Sequence, residues 1–251
     1  MVHLRNMDEV RKIRQSSRIA AEVLRLLGDM IEPGMTPKKL DSEAEKYIRS
    51  RHAEPGFKGL YGYPATLCVS VEHEVVHGIP SDLPLREGQI VGLDVGALKD
   101  GYYSDHARTF AVGKIDQAHQ DLITRTKECL DLGIKVAVAG GTVGDIGHAV
   151  QQHAEEVGYG VVRELVGHGI GTRLHEEPQI PNYGRPGQGA VIREGMCLAI
   201  EPMINIGSRE VVTQDDGWTV TTADGKPSAH FEHTIVITSN GPEVLTAYEV
   251  T

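Results

Sequence analysis

Apolar residues recur every three or four positions over the first part of the chain, which is the period of one face of an α-helix. This pattern covers residues 7–31 and stops at Glu32-Pro33-Gly34, so it predicts a first helix there. A second helix is predicted to begin after a cap at Thr36. The same spacing predicts two more helices, over residues 117–139 and 143–157.

Runs of β-branched and aliphatic residues predict strands between the two pairs of helices and after them. The predicted strands cover residues 66–71, 89–98, 102–112, 161–165, 196–204, 219–222 and 229–238. Lys99-Asp100-Gly101 fits a hairpin turn closed by a glycine in the left-handed region. Such a hairpin would place Asp94 and Asp105 roughly opposite one another.

The order helix, helix, strands occurs twice along the chain. The predicted fold class is therefore α/β (α+β), with two similar halves that face each other. No low-complexity linker divides the halves, so one domain is predicted over residues 1–251. The glycine-rich stretch 184–189 is predicted to be a surface loop.

Composition limits the classes of partner and the cellular compartment, but it does not identify the chemistry. The net charge of −10 argues against nucleic acid and anionic membranes as main partners. Three cysteines without a CxxC pair are expected to be buried free thiols in a reducing compartment. Because the N-terminus lacks the apolar core of a signal peptide and no run of 18 apolar residues occurs, the cytoplasm is expected.

Four carboxylates interrupt sequences that otherwise have the pattern of buried strands: Asp94, Asp105, Glu201 and Glu232. One such residue could face solvent or form a salt bridge in the core. Four are harder to neutralise with the 25 lysines and arginines, most of which lie in predicted helices or loops. Buried carboxylates need a partner or a metal ion, and a divalent cation would remove their mutual repulsion.

Gly167-His168-Gly169-Ile170-Gly171 adds one imidazole to this group. The chain has 12 histidines, so a single histidine is weak evidence, but flanking glycines let backbone or ligand approach closely. The run does not have the GxGxxG spacing of a dinucleotide-binding turn. Four carboxylates and one imidazole suit two ions of Mn²⁺, Fe²⁺, Co²⁺ or Zn²⁺, which activate water for hydrolysis of an amide or ester.

Six motifs lie along the chain, each weak alone but specific in their joint order and spacing. The motifs are Gly62-Tyr63-Pro64, His77-Gly78-Ile79-Pro80, Asp94 with Asp105, Gly167-His168-Gly169-Ile170-Gly171 with His175-Glu176-Glu177-Pro178, Glu201-Pro202-Met203 and Glu232-His233-Thr234. With these motifs the chain resembles the type I methionine aminopeptidases over nearly its whole length. That resemblance implies the pita-bread fold, with two pseudo-symmetric halves and an antiparallel sheet covered by helices.

The resemblance implies that five residues hold two divalent metal ions per chain, either Co, Mn, Fe(II) or Zn. Asp105 and Glu232 would bridge both ions. Asp94 would complete one metal, and His168 with Glu201 would complete the other. Glu201 would also move the proton between the bridging water and the leaving amine.

The resemblance also assigns the substrate contacts. His175 would hydrogen-bond the scissile carbonyl or its oxyanion, and His77 would contact the substrate amide near the leaving group. A pocket for the methionine side chain would be lined by Phe57, Leu60, Tyr63, Cys68, Leu174 and Trp218. From the residues alone, core packing explains these six better than a binding pocket does. Leu60 and Leu174 stand where aromatics are usual, which implies a wider pocket.

The implied activity is removal of the initiator methionine from nascent polypeptides. A bacterial-type monomer is expected, because the chain lacks the N-terminal extension of eukaryotic type I enzymes and the long insertion of type II enzymes. Any ribosome contact would use the domain surface, and no specific nucleic acid is expected as a partner. Two alternatives remain open: a proline-specific aminopeptidase of the same fold, and a pita-bread binding module without catalysis.

Overall fold

The computed structural model describes residues 2–247, and four α-helices lie within that range. They are α1 (Met7–Gly28), α2 (Pro37–Ser50), α3 (Gln117–Val136) and α4 (Val143–Glu155). All four predicted helices are confirmed, although α1 and α3 end three residues earlier than the pattern suggested. The start of α1 is fixed by a capping box, in which the Asn6 side chain accepts hydrogen bonds from the backbone and Glu9 accepts one from the Asn6 backbone.

The strands are shorter and more numerous than the sequence pattern predicted. They are β1 (Glu54–Pro55), β2 (Leu67–Val71), β3 (Glu74–Val76), β4 (Ile90–Lys99), β5 (Tyr102–Ala111), β6 (Gly160–Val161), β7 (Gly167–Gly169), β8 (Glu176–Ile180), β9 (Cys197–Ile200), β10 (Met203–Asn205), β11 (Val211–Thr213), β12 (Val220–Thr222), β13 (Ser228–His230), β14 (Glu232–Thr238) and β15 (Gly241–Val244). Two strands predicted as continuous are broken, one at Glu201-Pro202 and one at Phe231. Proline has no N–H to donate to a sheet, which explains the first break.

One antiparallel sheet runs through both halves of the molecule. Its strand order is β1-β4-β5-β14-β9-β7-β8, with β2 also paired to β4 and β15 to β14. In the first half α1 packs on β4 and β5, and α2 packs on β1 and β2. In the second half α3 packs on β9 and β14, and α4 packs on β8. The halves meet where β5 pairs with β14. The predicted fold of two facing halves with an antiparallel sheet is confirmed.

Each half has its own apolar core between its helices and the sheet. In the first half Leu24 and Leu40 pack against Val91, and in the second Ile146 packs with Ile200. The three cysteines are buried free thiols, as expected. The stretch 184–189 is a surface loop. That residues 1–251 form one domain stays a prediction.

The hairpin between β4 and β5 differs in register from the prediction. Lys99 pairs with Tyr102, which leaves only Asp100-Gly101 in the turn, and both of these residues have positive φ. This is the geometry of a type I′ turn, which matches the twist of the flanking strands better than the predicted three-residue turn. The two aspartates are therefore only roughly opposite each other, as expected, and do not pair directly. Asp94 pairs with Ala107, and Asp105 is its diagonal neighbour on the same face.

Candidate metal centre and substrate cleft

The five predicted metal ligands line one cleft of about 520 Å³ at the junction of the two halves. The first half contributes Asp94 from β4 and Asp105 from β5. The second half contributes His168 from β7, Glu201 directly after β9, and Glu232 at the start of β14. Residues 138 positions apart in the sequence thus face one another across the junction.

The distances within this cluster are short. Nε2 of His168 lies 3.8 Å from Oδ2 of Asp105 and 3.5 Å from Oε1 of Glu201. Possible ligand atoms of Asp105, His168 and Glu232 all lie within 4.8 Å of one another. These last three residues are buried, and Glu232 is only 1% exposed. One cation could therefore contact several of these side chains at once.

Hydrogen bonds of Thr234 hold the two halves together beside the cluster. The Asp105 backbone N–H donates to the Thr234 hydroxyl at 3.0 Å, and that hydroxyl donates to the Asp105 carbonyl at 2.8 Å. The His106 backbone N–H donates to Oδ1 of Asp105 at 3.0 Å, which orients the carboxylate. The ring of His106 binds the carbonyl oxygen of Glu232 through Nδ1 at 2.6 Å. Asp105 and Glu232 are consequently fixed relative to each other.

Burial and mutual repulsion change the acidity of the whole cluster. Burial raises the pKa of Asp94 to about 7. It also raises the pKa of Asp105, Glu201 and Glu232 well above the usual range, and neighbouring carboxylates add to the effect. Burial lowers the pKa of His168 to about 3, so its imidazole is neutral and able to bind a metal ion at pH 7. Without a cation, the carboxylates would retain protons near neutral pH.

The cluster also contains polar atoms that find no hydrogen-bond partner within residues 2–247. These atoms are Oδ1 of Asp94, Oε1 of Glu232 and Nε2 of His230. Leaving buried acceptors unsatisfied is destabilising, and a bound cation would satisfy the carboxylate oxygens. Oxygen donors with one imidazole are also the ligand set that suits divalent transition metals. The residues present therefore fit a metal centre.

Two glycines allow His168 to reach this position. A Cβ on Gly167 would collide with the carbonyl oxygen of Ala199, and a Cβ on Gly169 with that of Glu177. The strand β7 is thus pressed closely between β8 and β9, as its order in the sheet requires. The close backbone approach expected from the flanking glycines is confirmed.

The break after β9 brings Glu201 into the cleft. Its backbone carbonyl does not continue the β9–β14 ladder but accepts a hydrogen bond from Nδ2 of Asn182 at 3.0 Å. Its carboxylate lies between two histidines, 3.5 Å from Nε2 of His168 and 3.8 Å from Nε2 of His230. This position suits a residue that both binds a cation and exchanges protons.

His77 and His175 line the same cleft as the cluster. The His175 ring meets the His168 ring edge-on, with centroids 4.5 Å apart. Desolvation lowers the pKa of both His77 and His175, so that both are neutral at pH 7. A neutral imidazole can donate a hydrogen bond to a substrate carbonyl. Because it carries no charge, it does not form an ion pair with the buried carboxylates.

The predicted methionine pocket also lies in this cleft, which is lined by Phe57, Leu60, Tyr63, Cys68, Leu174 and Trp218. Tyr63 and Trp218 form a T-shaped pair with centroids 5.1 Å apart. The Tyr63 hydroxyl lies 2.9 Å from the carbonyl oxygens of Leu67 and Gly78, which fixes the ring. The result is an apolar, partly aromatic wall next to the candidate metal centre.

The sequence pattern did not point to two residues of this region. His230 is buried, and its Nε2 lies close to Glu201. Its position two residues before Glu232, on the same side of an extended chain, could have revealed it. Tyr61 lines the cleft as well, but it stands in a glycine-rich loop without any periodic pattern.

The model of the metallopeptidase family M24 matches residues 11–239 of this chain. The chain belongs to metallopeptidase family M24. It is 49% identical over 246 residues to a methionine aminopeptidase of Clostridium perfringens, covering 98% of this chain and 99% of that protein. It is 46% identical to methionine aminopeptidase 1 of Bacillus subtilis, covering 98% of this chain and 99% of that protein. The resemblance drawn from the motifs, to a bacterial-type methionine aminopeptidase, is therefore confirmed.

Solved structures agree with this M24 membership. A methionine aminopeptidase from Thermotoga maritima has a TM-score of 0.97 and 44% identity, covering 99% of this chain and all of that one. A prolidase from Pyrococcus furiosus has a TM-score of 0.81 and 24% identity, and this chain covers 66% of it. The second likeness concerns the fold alone. As a member of a metallopeptidase family, the chain is a metal-dependent peptidase with divalent metal cofactors.

Proposed function

We propose that this chain removes the N-terminal methionine from peptides and newly made proteins by hydrolysing the first peptide bond. The observation that carries the proposal is the meeting of two features in one cleft. A group of five candidate metal-binding side chains lies beside an apolar pocket with aromatic walls. The relatives at 46–49% identity are methionine aminopeptidases, which supports this substrate.

The metal ligands in this proposal are Asp94, Asp105, His168, Glu201 and Glu232. They would hold two divalent ions, either Co, Mn, Fe(II) or Zn, across the junction of the halves. Bound ions of this kind lower the pKa of water and polarise a carbonyl group. The unpaired oxygens of Asp94 and Glu232 support the assignment.

Glu201 is proposed as the acid–base residue of the reaction. Its carboxylate lies at the cleft, and within residues 2–247 it approaches the neutral rings of His168 and His230 rather than a lysine or arginine. It would take the proton from the attacking water and deliver it to the nitrogen of the leaving amine. A high pKa in the cluster suits this role, because the carboxyl group must hold a proton for part of the cycle.

His175 and His77 are proposed to bind the reacting peptide bond. His175 would donate a hydrogen bond to the scissile carbonyl as negative charge develops on its oxygen. His77 would contact the substrate amide on the side of the leaving group. Both lie in the cleft and are neutral at pH 7, which supports roles as hydrogen-bond donors.

The six pocket residues are proposed to bind the methionine side chain. A thioether gains dispersion and sulfur–aromatic contacts in such a pocket. Two aromatic rings, those of Tyr63 and Trp218, already pack against each other in this wall. Leu60 and Leu174 leave more room than aromatic residues would, so longer unbranched side chains should also be accepted.

We also propose that the enzyme works as a monomer in the cytoplasm, where N-termini leave the ribosome. None of the helices in residues 2–247 has the length and apolarity required to cross a bilayer. The catalytic groups proposed above all come from one chain, which supports a monomeric enzyme. Contact with the ribosome would then use the outer surface of the protein.

Peptide cleavage by metal-stripped protein tests the proposal. The protein should be inactive on Met-Ala-Ser after chelation and regain activity when one of Co²⁺, Mn²⁺, Fe²⁺ or Zn²⁺ is restored. Ala-Pro-Ala serves as the control peptide and should not be cleaved. Cleavage of Ala-Pro-Ala alone would indicate a proline-specific peptidase. Failure to bind any of these metals or cleave either peptide would indicate a binding module.

A further inference from the structure

A second cavity lies behind the candidate metal centre, on the opposite face of the sheet. Successive side chains of a strand point to opposite faces, so His106 and His233 face away from Asp105 and Glu232. The two histidines pair with each other where β5 meets β14. This cavity, called the rear cavity below, lies between α1 and α3 and has a volume of about 950 Å³. Its size and its place between two halves of a fold are typical of binding sites for small molecules.

The rear cavity combines apolar walls with a basic rim. Its large apolar side chains belong to Leu24, Phe110, Leu130 and Phe231. Its exposed rim has three cations and one anion, which are Arg25, Arg108, Lys127 and Asp131. Positive charge predominates there although the whole chain has a net charge of −10. The rear cavity is therefore complementary to a ligand that has both an anionic group and an apolar body.

Arg108 is the cation of this rim that is best placed to bind an anion. Its guanidinium group lies 5.1 Å from the centroid of the Phe110 ring, and it forms no ion pair within residues 2–247. By contrast, Lys127 pairs with Asp131 at 2.7 Å, and Arg25 also has a carboxylate partner. A guanidinium group binds a carboxylate through two parallel hydrogen bonds. The anionic group that fits the rear cavity best is therefore a carboxylate.

The floor of the rear cavity is joined directly to two of the candidate metal ligands. The rings of His106 and His233 line the cavity and stack with their centroids 4.8 Å apart. The backbone N–H of His106 donates to Oδ1 of Asp105 at 3.0 Å. The His106 ring binds the carbonyl oxygen of Glu232 through Nδ1 at 2.6 Å. A ligand that packs on these rings is therefore one residue away from both carboxylates.

We infer that the rear cavity is a second ligand site, which binds a small molecule with a carboxylate on an aromatic body and whose occupancy strengthens metal binding. The carboxylate would pair with Arg108, and the aromatic body would pack against Phe110 and Phe231. Both halves line the rear cavity, so its ligand bridges the same junction as the metal ion. Each ligand then stabilises the arrangement of the halves that the other requires, and this coupling is reciprocal. The coupling rests on the proposed metal centre, whereas binding to the rear cavity does not.

Phenylacetate and phenylacetamide test the site, because they have nearly the same shape and only the first is charged. Calorimetric titration of metal-free protein excludes binding of the carboxylate to a cation in the catalytic cleft. Phenylacetate should bind with a Kd of about 1 mM or below, and phenylacetamide at least about fivefold more weakly. Arg108→Ala should weaken phenylacetate binding by about fivefold or more and leave phenylacetamide binding within about twofold. Arg209→Ala is the control, since it removes an exposed arginine that pairs with Glu210 outside the rear cavity.

The coupling is tested by the affinity for Mn²⁺, measured from the paramagnetic resonance of the free ion. Saturating phenylacetate should lower the Kd of Mn²⁺ by about fivefold in the wild-type protein and leave it unchanged in Arg108→Ala. Equal lowering in both proteins would place the effect in the catalytic cleft and contradict the coupling, as would no lowering in either.

Two further results would contradict the ligand site itself. The first is phenylacetate binding that does not depend on Arg108, or no binding at all. The second is binding that appears only after residues 248–251 are removed, which would show that the end of this chain occupies the rear cavity. A protein that binds phenylacetate through Arg108 but binds no Mn²⁺ would contradict the proposed metal centre and the coupling, but not the ligand site, so the failures can be told apart.

Discussion

The two halves of the molecule supply their candidate metal-binding side chains in different ways. In the first half, Asp94 and Asp105 stand on a regular hairpin of two ten-residue strands. In the second half, His168 lies on a three-residue strand, and Glu201 and Glu232 lie at breaks between short strands. A regular hairpin sets two carboxylates at a fixed spacing on one face, whereas chain breaks let side chains approach from other directions. Side chains from the regular hairpin and from the chain breaks are both needed to surround a cation at the junction.

The breaks of the second half also carry the proposed acid–base group, so the largest effect is expected there. Glu201→Gln keeps the shape of the side chain but cannot accept the proton of water. Turnover of Met-Ala-Ser should fall by about 10²–10⁴-fold, the usual contribution of general acid–base catalysis. The measurement is steady-state kinetics on the fully metal-loaded variant, with metal content and circular dichroism as controls. Normal turnover would remove Glu201 from the role.

A second prediction concerns the contact between the N-terminal segment and the second half. Arg5 forms an ion pair with Glu176, and the side chains of both are almost fully buried. The backbone N–H of Arg5 also donates to the Gly195 carbonyl at 2.7 Å. Arg5→Ala should lower the free energy of unfolding by about 3 kcal/mol, because it removes the cationic partner of the buried Glu176 carboxylate and leaves it only the hydrogen bonds from Thr172 and Arg173.

Urea denaturation measures this loss, and Arg11→Ala is the matched control. Arg11 pairs with Asp8 on the surface, so its loss should cost at most about 1 kcal/mol. Equal effects of the two variants would show that the Arg5–Glu176 pair does not join the segment to the second half. Since Glu176 follows His175 directly, activity should fall together with stability in Arg5→Ala.

The third prediction separates His175 from the metal ligands beside it. His175→Ala should reduce kcat/KM for Met-Ala-Ser by about 10²–10³-fold, as expected for the loss of one oxyanion donor. Metal content should stay the same, because His175 contacts His168 only through its ring. An unchanged kcat/KM would show that the oxyanion is stabilised by another group.

The last prediction concerns pH, and it reflects the carboxylates that the two halves share. In the metal-free protein, burial and repulsion raise the pKa of Asp105, Glu201 and Glu232 well above the unfolded value. Above the usual carboxyl range the folded state therefore retains protons that the unfolded state has lost. Stability then falls as pH rises, by up to about 1.4 kcal/mol per pH unit for each retained proton.

Unfolding of chelated protein at pH 6.5 and pH 8 tests this, with Mn²⁺-loaded protein as the control. His168 does not contribute in this window, because its low folded pKa affects stability only below about pH 6.5. The stability of the metal-loaded protein should not change between these two pH values, since a cation replaces the protons. A chelated protein equally stable at both pH values would contradict the raised pKa values.

The sequence predicted the regular parts of the molecule better than the irregular ones. Helical periodicity located all four helices. A run rich in Val, Ile and Leu located β4, and the turn after it located β5 as the returning strand. The register of their hairpin was missed, because Asp100-Gly101 suits several turn types and only the twist of the strands selects one. The break at Glu201-Pro202 was read as a continuous strand, although proline gave a signal for it.

The candidate site was predicted from residue types rather than from geometry. Carboxylates within apolar runs drew attention to Asp94, Asp105, Glu201 and Glu232, and the motifs added the histidines. Tyr61 could not be predicted in this way, because a tyrosine in a glycine-rich loop is ordinary in sequence. Only its left-handed backbone and its place beside His175 distinguish it.

The junction of the halves has a consequence for cooperativity. The ladder between β5 and β14 pairs only Glu232 with Ala107 and His233 with His106, far fewer residues than the ten pairs of the β4–β5 hairpin. Few backbone bonds therefore tie one half to the other, and the ligands of the candidate centre lie on both sides. A cation bound there would link the two halves, so that neither half could unfold without releasing it.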